Sequence, residues 1–81
     1  MSGPSWFVRA AQAKKLSPRE TEIMLARANG IPVKAIGESL GISPFTVDSH
    51  LRRVFVKLHV HSIQAAVFTL LATFIQTRDA R

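Results

Sequence analysis

Between residues 44 and 58 the sequence sets a group of side chains that can hydrogen-bond to a flat, polar surface. Thr46, Asp48, Ser49, Arg52, Arg53 and Lys57 alternate with Val47, Leu51, Val54 and Leu58, which recur at intervals of three and four. That periodicity belongs to a helix with one buried side and one wet side. On the wet side, a guanidinium such as that of Arg52 offers a fork of donors that matches guanine or phosphate, and Arg53 and Lys57 suit phosphates. The Asp48 carboxylate can only accept, as from cytosine N4, whereas the hydroxyls of Thr46 and Ser49 do either. The chemistry on offer is recognition rather than catalysis, since no nucleophile, base and orienting group occur together. An enzyme is not expected.

The elements that must hold these groups are written in a repeated grammar. Ser17-Pro18-Arg19-Glu20 is a helix start: serine caps, proline fits the first helical position and glutamate three residues on completes a capping box. Ile23, Met24, Ala26 and Ala28 supply the apolar positions of that helix, and Asn29-Gly30 stops it. A second helix is expected over 32–40, opened by Pro32, buried through Ile36 and Leu40 and broken by Gly41. Ser43-Pro44 starts a third helix that runs to Leu58, followed by a connector at His59-Val60-His61. Ser62 caps a fourth, over 63–76.

The second and third helices have the spacing of a helix-turn-helix running from Val33 to about Val60. Ile36, Leu40, Ile42, Val47 and Leu51 are apolar where the pair must pack, Gly37 is small where the helices approach, and Gly41 occupies the turn. In that arrangement the helix over 44–58 enters the major groove of double-stranded DNA, and Phe45, Thr46, Asp48, Ser49 and Arg52 are the outward residues that meet base edges. Lys34 and Arg19 are candidate backbone neighbours or plain surface charges.

The fourth helix carries two apolar stripes, although one core needs only one. Ile63, Ala66, Val67, Leu70 and Phe74 form the first; Phe68, Leu71, Ala72 and Ile75 form the second. An exposed second stripe marks a partner surface, most simply that of a homodimer. The rival is that Trp6-Phe7-Val8 folds back to cover it. Residues 1–15 are an N-terminal arm, or residues added to the domain, with Trp6 and Ala10 on one face of an extra helical segment; the domain spans 16–76 and a tail follows over 77–81.

Composition agrees with this reading. Hydrophobic residues make up 47% of the 81 and charged residues 20%, which suits a small folded domain, and no alternating pattern suggests a strand: the fold class is all-α, four helices with an optional fifth segment. The formal charge of +6 favours a polyanionic partner, but residues 16–61 contribute only +2 of it. Without cysteine there are no disulfides and no thiolate metal sites; His50, His59 and His61 lack the carboxylates or thiolates that would complete a metal set, and His50 is expected at a helix interface with one nitrogen bonded. No cofactor is expected. The start of the chain lacks a signal peptide and the apolar tract 63–75 is too short to span a bilayer, so a soluble, cytoplasmic protein with no membrane partner is expected.

The ordered set Leu16-Ser17-Pro18-Arg19-Glu20-x-Glu22-Ile23, Gly30, Lys34-x-Ile36, Leu40-Gly41-Ile42-Ser43, Thr46-Val47-x-x-His50, Lys57-Leu58 and Ala66-Val67 resembles the LuxR-type (GerE-like) DNA-binding domain of bacterial transcription regulators. The resemblance covers Leu16 to about Leu71. It implies a four-helix domain, dimerisation through the last helix and binding to paired half-sites in promoter DNA. Three positions depart from the family pattern: Asp48 stands where Lys or Arg is common, Pro32 replaces a hydroxyl cap, and Ile63 replaces a basic or polar residue. Asp48 shapes specificity by accepting from cytosine or by orienting Arg52, or else weakens binding by repelling phosphate. The promoter-reading region of sigma factors shares the same helix pair, but His50, Lys57-Leu58 and the apolar fourth helix favour the LuxR type. The alternative function is a protein-interaction module or antagonist that uses helix 63–76 to capture a partner, with DNA binding weak or lost.

Overall fold

The computed structural model describes residues 3–79, with side chains to residue 77. Five helices follow one another: α1 (Ser5–Ala13), α2 (Pro18–Ala28), α3 (Val33–Leu40), α4 (Pro44–Leu58) and α5 (Ile63–Asp79). Among the described residues there is no strand.

Each start is fixed by local chemistry. The capping box at α2 is complete: Ser17 Oγ accepts from the Glu20 amide at 3.0 Å and Glu20 Oε1 accepts from the Ser17 amide at 2.9 Å. At α4 the Ser43 hydroxyl accepts from the Thr46 amide at 3.0 Å, and at α5 Ser62 does the same for Ala65 at 3.1 Å. α3 differs from expectation by one residue. Pro32, with φ −64° and ψ 150°, is the residue before the helix rather than its first turn, and it supplies no side-chain cap. α5 runs three residues past 76, because nothing at Gln76 or Thr77 stops it; Thr77 instead donates to the Thr73 carbonyl at 2.7 Å, within the helix.

Two adjoining apolar clusters hold the helices together. The first joins Phe7, Ala10 and Ala11 of α1 and Met24 of α2 to Val54 and Leu58 of α4 and Ala66 and Leu70 of α5, with Leu16 at the α1–α2 link. The second joins Ile23 of α2, Ile36 of α3 and Val47 and Leu51 of α4, and it seats the helix pair α3–α4 on α2. Ala28, expected on the apolar side of α2, is exposed at the end of the helix, whereas Glu20 and Thr21 are buried at its start.

α1 lies along α5, and its position settles which apolar stripe it covers. Its buried residues meet the stripe of Ala66 and Leu70, and Trp6 sets its ring edge-on to Phe74 at 6.4 Å. The rival reading, in which Trp6-Phe7-Val8 covers the other stripe, is therefore wrong. Phe68, Leu71 and Ile75 remain 73%, 41% and 50% exposed, and Ala72 is half-buried. The reason is geometric: α1, α2 and α4 converge on one side of α5, so among the described residues no helix faces the opposite side.

Candidate nucleic-acid interface

The turn between α3 and α4 is set by two glycines. Gly41 adopts φ 70°, a left-handed conformation that costs glycine little, and lets the Ile42 amide reach back to the Gly37 carbonyl at 2.9 Å. Gly37 is buried against the far side of that turn, where an added Cβ would lie 2.7 Å from the Ile42 carbonyl oxygen. The close approach expected from the sequence is present. Only a residue without a side chain allows α3 and the start of α4 to meet at this distance.

With Val47, Leu51, Val54 and Leu58 buried, the opposite side of α4 is turned to solvent. Its centre is a row at intervals of four, three and four: Phe45, Ser49, Arg52 and Val56. Asp48 lies on one flank and Arg53 on the other. The Asp48 carboxylate pairs with the Arg52 guanidinium at 3.2 Å, one turn along the helix, on the exposed surface. Ser49 Oγ donates to the Phe45 carbonyl at 3.1 Å, and the Thr46 hydroxyl is paired with that of Ser43 at 2.9 Å, so both hydroxyls are drawn toward the backbone and the cap. Phe45 and Val56, 74% and 72% exposed, mark the two ends of the row. Phe45 follows from the sequence reading; Val56 does not, although its place eleven residues after Phe45, three helical turns, would have identified it.

Lys57 is placed differently from the other candidates. Its ammonium donates to Glu20 Oε1 at 2.7 Å and to the Lys15 carbonyl at 3.1 Å, tying the end of α4 to the start of α2. Burial alone would raise the pKa of the Glu20 carboxyl, but hydrogen bonds from Lys57 and from the Ser17 amide, together with the lysine charge, outweigh it, and the group titrates below its ordinary value. Lys34 is exposed in the first turn of α3, and Arg19 pairs with Glu22 at 3.2 Å on the surface of α2. The structure thus brings Asp48, Ser49, Arg52 and Arg53 onto one surface with Thr46 beside it, leaves Lys34 exposed at the start of α3, and ties Lys57 to Glu20.

His59 and His61 line one shallow pocket at the end of α4, apart from His50. His50 is half-buried with its Nδ1 lacking a hydrogen-bond partner, while His59 ends α4 in a left-handed conformation, φ 58°. Among the described residues no three groups are placed to hold a metal ion, and no single helix is long and apolar enough to cross a membrane.

Two short helices meeting at a glycine-gated turn, the second carrying a polar outward row, define a helix-turn-helix DNA-binding domain. Residues 14–70 match the family model for bacterial regulatory proteins of the luxR family. The chain belongs to that family of DNA-binding transcription regulators. It is similar to the response regulator UvrY of Escherichia coli (strain K12), 48% identical over 46 residues that cover 57% of this chain and 21% of the relative. It is also similar to the transcriptional regulatory protein FixJ of Rhizobium meliloti (strain 1021), 37% identical over 62 residues that cover 76% of this chain and 30% of the relative. The chain thus spans less than a third of the length of the curated relatives it matches. No solved structure matches it significantly.

Proposed function

We propose that this chain is the DNA-reading part of a bacterial transcription regulator that acts in the cytoplasm as a homodimer, each copy placing α4 in the major groove of one promoter half-site. The observation that carries the reading is the outward row of α4, where Arg52 pairs with Asp48 on a helix anchored by two apolar clusters. In this reading Arg52 meets a guanine, Ser49 lies beside base edges, and Asp48 acts as the orienting partner of Arg52. Arg53, Lys34 and Thr46 lie toward the sugar-phosphate backbone. Lys57, engaged with Glu20, orients α4. The homodimer forms through Phe68, Leu71, Ala72 and Ile75 of α5, which no other helix among the described residues covers. The names of its relatives, a response regulator and a transcriptional regulatory protein, agree with this role.

A second reading, capture of a protein partner through α5 with DNA binding lost, draws on the closed Asp48–Arg52 pair, which leaves the row little net charge. Selection of bound duplexes from random DNA tells the two apart. The first reading expects two symmetric half-sites centred about 10 base pairs apart or a multiple of that, bound at least ~1,000-fold more tightly than random duplex. If no duplex is enriched even at low ionic strength, that reading is lost and the second stands.

A further inference from the structure

We infer that Phe45 is a specificity residue that reads the C5-methyl group of a thymine, so that one thymine at a fixed place in each half-site belongs to the sequence this chain prefers. The inference rests on α4 being the helix in the groove and goes beyond it by naming a base. Phe45 is the second residue of α4, and its backbone is not a frayed end: the Ser43 hydroxyl holds the first turn through the Thr46 amide, and the Phe45 carbonyl accepts from Ser49. Its side chain belongs to neither apolar cluster and is the most exposed of the large apolar side chains described, at 74%. A single exposed apolar side chain is ordinary on a protein surface. This one stands at the leading end of the row that also carries Ser49 and Arg52, where the first turns of a recognition helix reach base edges.

The chemistry of the groove then selects its partner. A phenyl ring has no donor or acceptor. Set against guanine, adenine or cytosine it would strip water from N7, O6, N6 or N4 and return no hydrogen bond, which is unfavourable. Thymine alone offers an apolar group on that edge, its methyl. Phe45 therefore favours thymine by contact and disfavours the other bases by desolvation, while the Arg52 fork reads a neighbouring position.

The test uses the full 81-residue chain and the half-site obtained by selection, with each thymine replaced in turn by deoxyuridine, which lacks only the methyl. At one thymine the replacement is expected to weaken binding by the native chain by about 4-fold, the worth of one buried methyl. Phe45→Ala is expected to lose that sensitivity and keep its melting temperature, and Phe45→Leu to retain most of it. If no thymine responds to loss of its methyl, or if Phe45→Ala responds as the native chain does, the inference is overturned while DNA reading by α4 stands. If the chain binds no duplex at all, both fall together.

Discussion

α4 and α5 each turn a row of side chains away from the core, yet the two rows are unlike. The row on α4 places a serine and an ion-paired arginine between two isolated apolar residues, Phe45 and Val56. That on α5, Phe68, Leu71, Ala72 and Ile75, is apolar throughout. A row with hydrogen-bonding groups inside it can meet a surface that is itself patterned in donors and acceptors, as a DNA groove is. An unbroken apolar row gains most from a surface like itself, as in a twofold contact where the same patch serves both sides. The difference teaches that exposure of apolar side chains does not by itself identify a protein interface; what lies between them does.

The largest expected effect comes from breaking the α5 row. Leu71→Glu and Ile75→Glu are expected to convert a dimer to a monomer in sedimentation and to weaken binding to paired half-sites by about 100-fold or more, because the second half-site no longer binds as part of one complex. A native chain that is monomeric at high concentration, with both variants folded and binding as it does, would remove the contrast altogether. Next is the setting of the α4 row. Gly37→Ala pushes a methyl toward the Ile42 carbonyl, a contact of 2.7 Å. Overpacking of about 1–3 kcal/mol exceeds the roughly 1 kcal/mol that alanine gains in a helix, so a lower melting temperature is expected, with dimerisation unchanged. An equal or higher melting temperature would show that the turn opens freely.

The smallest effect concerns the tie between α2 and α4. Because the Glu20 carboxyl titrates below its ordinary value in the folded chain, its contribution to stability is fully present above that ordinary value and is lost as pH falls through the lowered folded value. Glu20→Gln is expected to cost about 1 kcal/mol at neutral pH, since the Lys57 side chain is 37% exposed and partly screened by water. Melting curves between pH 3 and pH 7 should be flatter for this variant than for the native chain. Parallel curves would assign the acid sensitivity to another group.

What could be read from the sequence was the chemistry that acts within a few residues. Ser17 with Glu20, Ser43 with Pro44, and Gly41 each complete their work inside one turn of chain, which is why α2 and α4 lie where their caps place them and the outward side of α4 was visible from spacing alone. Lys57 reads as a surface cation because its partner, Glu20, is 37 residues earlier and no local pattern joins them. The role of α1 was hidden for a similar reason. Spacing showed Trp6 and Ala10 sharing a side, but which stripe of α5 they would meet depends on the angles at which α2 and α4 approach, a property of the assembled fold.

The tie at Lys57 makes α4 a rod clamped at both ends, by the Gly37–Ile42 contact near its start and by the link to Glu20 near its finish. A helix held in this way turns with the domain rather than alone. In the DNA complex proposed above, a mismatch in shape is met by turning the whole domain or by bending the duplex, and in the second case the stiffness of base steps that no side chain touches becomes part of what the protein discriminates.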